Sequence, residues 1–398
     1  MPSSRTSGTP ENTVFGKLPG TSSVVKIEYD GVISAADELI RPLETVDHFV
    51  APGLIDLQVN GFAGVDYNDP SVKPELIAES INRMFSTGVT RFFPTIITAS
   101  REHMLNALRN LARAKEEFKR HSMPAAHAME SFHVEGPHIS CENGPRGAHP
   151  AEHVRPPDIE EFKHWQEAAE GNIRLITVSP EWEETPHYIS EIARAGVVAS
   201  IGHTKATSHQ IQDATSAGAT MSTHLGNAAH PSLPKTQNYI WDQLAEDRLT
   251  ASFIADGIHI PDPFLRAAIR AKGVDRSVLV TDAVMPAMCE PGYYSLGQVD
   301  VQLHADGSVT VRGGTRLAGS GLRMDRAIGN TVRMARISLM QALAMATTNP
   351  ARAARIAGRQ RGLTPGEKAD FVQFRWNEST QSLTVTETIV AGVSVYTA

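Results

Sequence analysis

The sequence has few of the features that mark secreted, membrane-spanning or nucleic-acid-binding proteins. Its 398 residues include two cysteines, Cys141 and Cys289, which excludes a disulfide framework and nearly excludes a metal site built from thiolates. No apolar run approaches the roughly 20 residues that span a bilayer, and the N-terminus lacks the apolar core of a secretory signal. Acidic residues outnumber basic ones, 44 to 37, which argues against non-specific binding to nucleic acid. These absences predict a cytoplasmic protein without a nucleic-acid or membrane partner.

The composition that is present is that of a large globular chain, with 41% hydrophobic and 20% charged residues. The length fits a barrel of about 250 residues with a smaller appendage. Residues 1–22 are rich in Ser, Thr, Pro and Gly, which predicts a disordered tail. Strand-like segments in residues 23–50 and 354–398 predict one small β-domain formed by both chain ends, and residues 51–353 are left for the main domain.

Eight short runs with strand character lie between Phe49 and Ala283, and stretches with helical periodicity separate most of them. The runs begin at Gly53, Thr90, Ser131, Arg174, Val197, Ala219, Thr250 and Ser277. Alternating strands and helices predict a parallel sheet, and eight such units predict closure into an α/β fold of the (β/α)₈ type, the TIM barrel. A doubly wound open sheet is the alternative, but no Gly-rich phosphate-binding sequence follows the first run.

Ionisable side chains follow four of these runs, at the end of the barrel where active sites lie in such folds. Glu135 closes the third run, His203 the fifth, His224 the sixth and Asp282 the eighth. Two histidines and a carboxylate, with a position left for water, are a common catalytic zinc arrangement that also suits iron, manganese or cobalt. Each residue alone is more often structural, but buried ionisable groups are costly unless they are paired or bound to metal. The set predicts a metal-dependent hydrolase in which Asp282 handles the proton.

Other polar residues near the same strand ends leave alternatives open. Asp256 competes with Asp282 for the role of base, although it precedes a glycine and could equally shape that turn. His133 shares the strand face of Glu135, and we expect it to face the barrel interior or to support a ligand. Gln58 and Asn60 share one face of the first run, and neutral amides are weak ligands that could simply hydrogen-bond in the barrel mouth. The sequence therefore predicts one metal ion rather than two.

Nine segments between about Val50 and Phe374 carry a resemblance to a known family. They read PGLIDLQVNG, GVTRFFPTIIT, HVEGPHIS, SIGHT, STHLGNAAH, IADGIHI, LVTDAV, LAGSGLRMD and ATTNPARAARI. Together and in this order they resemble the N-acetylglucosamine-6-phosphate deacetylases of the amidohydrolase superfamily. The resemblance implies a (β/α)₈ barrel with a small β-sandwich domain from both chain ends, and often a homodimer. The implied reaction removes the acetyl group from N-acetylglucosamine 6-phosphate and yields glucosamine 6-phosphate and acetate.

The resemblance also implies roles for individual residues. One divalent metal ion, zinc in the first place and otherwise iron, manganese or cobalt, would be held by Glu135, His203 and His224. Asp282 would act as general base and then as general acid. The implied substrate contacts are His149, Asn227, Ala228, His259, Ala318 and Gly319.

One segment departs from the family pattern. Well-known members have an arginine after His-Leu-x-Asn-Ala that helps to hold the sugar phosphate, but here the region reads HPSLPKTQNYIWDQL. Lys235 is the candidate replacement, although a lysine lacks the bidentate fork of a guanidinium group. Two alternatives therefore stay open. The chain could deacylate another compound, such as an unphosphorylated or epimeric amino sugar or an N-acyl-amino acid, or it could be a non-catalytic barrel scaffold.

Overall fold

Strands and helices alternate along most of the chain in the computed structural model, which describes residues 12–21, 23–39 and 46–398. The strands are β1 (Asn12–Lys17), β2 (Val24–Tyr29), β3 (Ile33–Leu39), β4 (Phe49–Pro52), β5 (Leu54–Val59), β6 (Gly61–Phe62), β7 (Val65–Asp66), β8 (Val89–Ile97), β9 (Phe132–Glu135), β10 (Ile173–Val178), β11 (Val198–Ile201), β12 (Ala219–Ser222), β13 (Thr250–Phe253), β14 (Ser277–Leu279), β15 (Gly292–Leu296), β16 (Val299–Leu303), β17 (Val309–Val311), β18 (Phe371–Asn377), β19 (Ser382–Val390) and β20 (Val393–Thr397).

The helices are α1 (Pro74–Phe85), α2 (Arg101–Arg120), α3 (Pro124–Ala128), α4 (Ile159–Ala168), α5 (Thr185–Arg194), α6 (Ser208–Ala217), α7 (Tyr239–Ala245), α8 (Asp262–Lys272), α9 (Met324–Thr331), α10 (Leu339–Ala346) and α11 (Thr348–Ala353). Short 3₁₀ turns occur at Ala151–His153 and Val274–Arg276, and a π-helical turn at Val332–Arg336. Within the described ranges, no helix is long and apolar enough to cross a membrane.

Eight parallel strands form the barrel, in the order β5, β8, β9, β10, β11, β12, β13 and β14. The end of the last strand returns to the first, because the Asp282 N–H donates to the Gln58 carbonyl (3.0 Å) and the Asn60 N–H donates to the Ala283 carbonyl (2.7 Å). Each of the eight predicted runs forms one of these strands. The predicted (β/α)₈ fold is confirmed.

The packing of the barrel explains why its strands carry buried residues on both faces. β8 is buried along its whole length, since helices cover the outer face of the barrel and side chains fill its interior. In α2, the residues Met104, Leu108 and Leu111 follow the spacing i, i+4, i+7 and are fully buried against this outer face. The Ser100 side chain begins α2 by accepting a hydrogen bond from the His103 N–H.

The two chain ends form a second, seven-stranded sheet in the order β20, β19, β18, β4, β1, β2, β3. β18 pairs antiparallel with both β4 and β19, so that the C-terminal strands extend the sheet that the N-terminal strands begin. Its strands are joined in one continuous hydrogen-bonded sheet. The β-structure expected from both termini is therefore present beside the barrel.

The expectation of a disordered tail over residues 1–22 is wrong at Asn12–Lys17. These residues form β1, which pairs along its whole length with β2. Val14 packs against a buried apolar cluster that includes Ile27 and Phe371, and this burial outweighs the polar composition of the surrounding segment. Residues 1–11 and residue 22 lie outside the described part of the chain.

A three-stranded antiparallel sheet, β15 to β17, follows the last barrel strand and was not predicted. Its inner face packs Val301 and Val309 against Val284 and Ile97 at the barrel mouth. The chain then returns to the barrel rim, where Ser320 pairs with Ala283. This insert therefore stands over the carboxyl ends of the barrel strands.

A buried ion cluster joins the barrel to the terminal sheet. Asp370 accepts hydrogen bonds from Arg91 Nε (2.6 Å), Arg91 Nη2 (3.1 Å), Arg359 Nη1 (2.6 Å) and the Ala391 N–H (2.6 Å). Burial acts to raise the pKa of Asp370, but the two guanidinium groups outweigh it and hold that pKa well below its usual value. Since Arg91 lies on β8 and Asp370 directly precedes β18, the cluster ties the two sheets together.

Candidate active site

Four barrel strands bring one ionisable side chain each to the same mouth of the barrel. Glu135 is the last residue of β9, and His203, His224 and Asp282 follow β11, β12 and β14 within three residues. The backbone of the latter three is left-handed, with φ of 50°, 29° and 52°. Non-glycine residues rarely adopt this conformation, and such strain is concentrated at functional sites. All four side chains are buried, so the surrounding residues restrict their positions.

Three donor atoms of this group form a compact triangle. His224 Nε2 lies 3.0 Å from Glu135 Oε1, His203 Nε2 lies 3.3 Å from the same oxygen, and the two Nε2 atoms are 3.1 Å apart. Ligands bound at about 2.0–2.1 Å to a tetrahedral zinc ion are about 3.3 Å from one another. The triangle therefore has the size of three ligands on one metal ion.

The imidazole ring of His203 presents its Nε2 lone pair to the centre of this triangle. His203 Nδ1 lies 3.0 Å from the Pro145 carbonyl oxygen, which can only accept, so a neutral His203 ring carries its proton on Nδ1. His224 Nδ1 is buried and has no hydrogen-bond partner in the described part of the chain. The Glu135 carboxylate oxygen and the His203 lone pair, with His224 Nε2 beside them, form a site that a cation between them would stabilise. The donor set fits a divalent metal ion.

His149 is a fourth donor close to the triangle. One donor atom each of Glu135, His149 and His203 lies within 4.8 Å of the others, but His149 Nε2 is 3.8 Å from Glu135 Oε2 while its Nδ1 is 2.8 Å from Thr98 Oγ1. The set with His224 is tighter and matches the ligand spacing better. Burial, followed by the charge of His203, lowers the pKa of His149 to about 3, so that a neutral His149 ring faces the site.

Two amides, Gln58 on β5 and Asn60 directly after it, hold Asp282 in place. Asn60 Nδ2 donates to Asp282 Oδ1 (2.7 Å), and Gln58 Nε2 donates to the same oxygen (3.1 Å) and to Glu135 Oε1 (2.9 Å). Both amide nitrogens therefore point at carboxylates within the barrel mouth. Asp282 Oδ2 accepts no hydrogen bond from the described residues, which leaves this oxygen free for a proton.

The two carboxylates of the site differ in their affinity for protons. Burial, followed by the charge of Glu135, raises the pKa of Asp282 to about 6. Burial also acts to raise the pKa of Glu135, but His203 and His224 outweigh it and hold that pKa well below its usual value. Glu135 therefore stays ionised, while Asp282 can both take and give a proton near neutral pH.

The second candidate base, Asp256, is occupied by its own turn. Its Oδ1 accepts hydrogen bonds from the N–H groups of Ile258 and His259, both at 2.8 Å, and its Oδ2 lies 2.6 Å from His259 Nδ1. Because the carboxylate accepts, His259 Nδ1 carries a proton and its Nε2 is left for the neighbouring cavity. Asp256 positions His259, and Asp282 is the better placed base.

A cavity of about 530 Å³ opens above the four residues, within the range of small-molecule sites. Its walls come from the loop after β9, the loop after β12 and the insert; they include Gly144, Gly147, Ala148, His149, Asn227, Ala228, Ala229, Pro231, His259, Leu296, Val299, Thr315, Arg316, Leu317, Ala318 and Gly319. A Cβ on Gly319 would lie 2.2 Å from Val284 Cγ1. Glycine there therefore lets the insert approach the end of β14.

Comparison with known protein families identifies the relationship. Residues 49–395 match the Amidohydrolase family. The chain belongs to this family. Amidohydrolases depend on metal ions, and the cluster of Glu135 with neighbouring histidines provides a group that could bind one.

Individual relatives agree with this assignment. The N-acetylglucosamine-6-phosphate deacetylase of Bacillus subtilis (strain 168) is 33% identical over 332 residues, which cover 82% of this chain and 80% of that protein. The N-acetylgalactosamine-6-phosphate deacetylase of Escherichia coli O157:H7 is 30% identical and covers 86% and 88%. A mutant N-acetyl-D-glucosamine-6-phosphate deacetylase of Mycobacterium smegmatis, solved with N-acetyl-D-glucosamine-6-phosphate, has a TM-score of 0.85 at 28% identity and covers 97% and 98%. The resemblance to the deacetylases of the amidohydrolase superfamily is confirmed.

The predicted substrate-binding residues line the cavity, with the exception of Lys235. The expected substrate contacts that line the cavity are His149, Asn227, Ala228, His259, Ala318 and Gly319. Lys235 does not line it and is exposed in the loop before α7, so its placement gives no support to a phosphate contact. Arg316 lines the cavity and was missed. Its position two residues before Ala318, directly before the family-like segment LAGSGLRMD, was the available signal.

His133 lies inside the barrel, below the cavity lining. Its Nε2 is 2.8 Å from Thr177 Oγ1, and burial lowers its pKa to about 4. This neutral, hydrogen-bonded ring fits the expectation of an inward-facing barrel residue.

Proposed function

We propose that this amidohydrolase removes the acetyl group from N-acetylglucosamine 6-phosphate, giving glucosamine 6-phosphate and acetate. The observation that carries the proposal is the convergence of Glu135, His203, His224 and Asp282 in one cavity of a chain whose relatives are amino-sugar-phosphate deacetylases. The cavity has room for a monosaccharide and offers polar groups at both its floor and its rim.

The proposal includes one divalent metal ion, with zinc as first choice. Glu135, His203 and His224 would hold it, as the spacing of their donor atoms suggests. A divalent ion supplies Lewis acidity, which polarises an amide carbonyl and makes a water nucleophilic near neutral pH. Gln58 and Asn60 direct their amide nitrogens at carboxylates, which supports a single ion rather than a pair.

Asp282 moves the proton in this proposal. Its free Oδ2 accepts the proton of the attacking water and then delivers it to the leaving amine nitrogen, so that the C–N bond breaks without releasing an amide anion. His149 and the Nε2 of His259 orient the substrate, and the backbone at Ala318 and Gly319 forms the wall beside Asp282.

The test is hydrolysis of N-acetylglucosamine 6-phosphate by the metal-loaded protein, followed through the release of free amine and acetate in equal amounts. We expect saturable turnover, with Glu135→Gln as the control that has lost a charged ligand. Turnover of another N-acyl compound without any action on the phosphorylated amino sugars would overturn the proposal. Absence of any hydrolysis would favour the scaffold alternative.

A second candidate substrate is the epimer N-acetylgalactosamine 6-phosphate, because a relative at 30% identity bears that name. The ratio of kcat/KM for the two epimers decides between them. The proposal also includes a cytoplasmic homodimer, as the family resemblance implies, and light scattering of the purified protein measures the oligomeric state.

A further inference from the structure

The charged groups of the cavity are distributed in a way that bears on the substrate. The carboxylates Glu135 and Asp282 lie at its floor, where the proposed metal ion would balance their charge and bind the acyl group. Among the described residues that line the cavity, Arg316 is the one lysine or arginine. An anionic substrate group would therefore find its countercharge at the rim, on the insert.

The backbone around Arg316 is held in place by the insert. The Val311 N–H donates to the Arg316 carbonyl (2.8 Å), and Leu317 pairs with Thr310. These contacts attach the segment to β17 and fix where the side chain begins. The guanidinium group is therefore presented by a paired backbone rather than by a free loop.

The Arg316 side chain reaches across the cavity mouth towards the metal site. Its Nη1 donates to the Gly147 carbonyl (3.2 Å) in the loop after β9. That loop lies directly on a candidate ligand, because a Cβ at Gly147 would be 3.2 Å from His203 Cε1. The guanidinium group thus contacts the same loop that packs against His203.

Arg316 has fewer polar contacts than the other cations around the mouth, of which Arg146 likewise makes no ion pair among the described residues but donates two hydrogen bonds. Lys205 pairs with Glu142 (2.5 Å), Arg146 donates to the His149 carbonyl (2.7 Å), and Arg312 lies on the Tyr293 ring (4.6 Å). Arg316 makes no ion pair within the described ranges, and its one hydrogen bond uses a single N–H. A guanidinium group has five donors, so most of them are available for a phosphate, which arginine binds in a bidentate manner.

We propose that Arg316 binds the phosphate group of the substrate and so sets the preference for phosphorylated over free amino sugars. This inference rests on the proposed function. It moves the phosphate contact from the loop between β12 and α7, which contains Lys235, to the segment of the insert that follows β17.

The experiment compares kcat/KM for N-acetylglucosamine 6-phosphate and for free N-acetylglucosamine in wild type, Arg316→Ala and Arg316→Lys. We expect the ratio of the two values to fall by about 10-fold to 100-fold in Arg316→Ala, the range of hydrogen bonds to a charged group. The loss should appear mainly in KM, since a distant phosphate contact is made in ground state and transition state alike. Arg316→Lys should recover part of the ratio. Arg312→Ala, on the same insert but outside the cavity, is the matched control and should keep it.

A second readout keeps the inference separate from the proposed function. Inorganic phosphate should bind the zinc-loaded wild type in a calorimetric titration and bind Arg316→Ala at least about 10-fold more weakly. An unchanged substrate ratio together with unchanged phosphate affinity would overturn the role of Arg316. If wild type hydrolyses neither sugar, the proposed function fails, while the phosphate titration still decides whether Arg316 is an anion site.

Discussion

Replacing Asp282 by asparagine separates proton transfer from metal binding more cleanly than any other single change. The Oδ1 of an asparagine can still accept the hydrogen bonds from Asn60 (2.7 Å) and Gln58 (3.1 Å) that Asp282 accepts now. The amide nitrogen replaces Oδ2, the oxygen that we expect to take the proton. Asp282→Asn should therefore keep the geometry of the site and lose its base.

The expected size of the effect follows from that role. General acid–base catalysis contributes about 10²-fold to 10⁴-fold to a rate, so kcat should fall by that factor, which corresponds to about 3–5 kcal/mol in the barrier. The proposed metal ligands Glu135, His203 and His224 are untouched, and a neutral side chain removes the repulsion between Asp282 and Glu135. Metal content should stay at the wild-type value.

The assay measures kcat of the zinc-loaded variants with saturating N-acetylglucosamine 6-phosphate, beside metal content by mass spectrometry. Asp256→Asn is the matched control, because Asp256 acts through His259 and should cause a smaller loss. Near wild-type kcat in Asp282→Asn, or a larger loss in Asp256→Asn, would refute the assignment of Asp282 as the base.

Three further predictions concern stability. Asp370→Ala leaves the buried Arg359 guanidinium group without a counter-ion and leaves Arg91 with Glu130 alone, so it should lower the free energy of unfolding by about 3–5 kcal/mol. An unchanged urea midpoint would contradict this. Because Arg91 and Arg359 depress its pKa, Asp370 contributes its full stability above about pH 4 and loses it as the pH falls through the lower folded pKa. Acidification should therefore destabilise wild type more than Asp370→Ala. Removing the metal with a chelator should lower the melting temperature, since a ligand at 100 times its Kd stabilises the folded state by about 2.7 kcal/mol. A melting temperature that changes neither with chelator nor with added zinc would argue against a resident ion.

The barrel could be predicted from the sequence because its strands are local features. β8, for example, is buried along its whole length and is rich in large apolar residues, and Asp282 follows the short strand-like run SVLVT. The site could be placed for the same reason, since parallel strands bring their carboxyl ends to one mouth whatever the loops do.

The parts that were missed depend on contacts between distant segments. The short strands β15 to β17 are local features, but the position of this sheet over the barrel mouth depends on packing against Ile97 and Val284. The role that we propose for Arg316 depends on that placement. β1 was missed because its own composition is typical of a loose tail. Its stability comes from pairing with β2, which the composition of the segment does not reveal.

Zinc content and deacetylation measured on the same samples test the central claim most directly. After loading and removal of excess metal, wild type should hold one ion per chain and hydrolyse N-acetylglucosamine 6-phosphate, with activity proportional to occupancy. His203→Ala should hold less than wild type and lose activity to the same extent. Full activity in metal-free protein, or full occupancy and activity in His203→Ala, would contradict a single catalytic ion held by Glu135, His203 and His224.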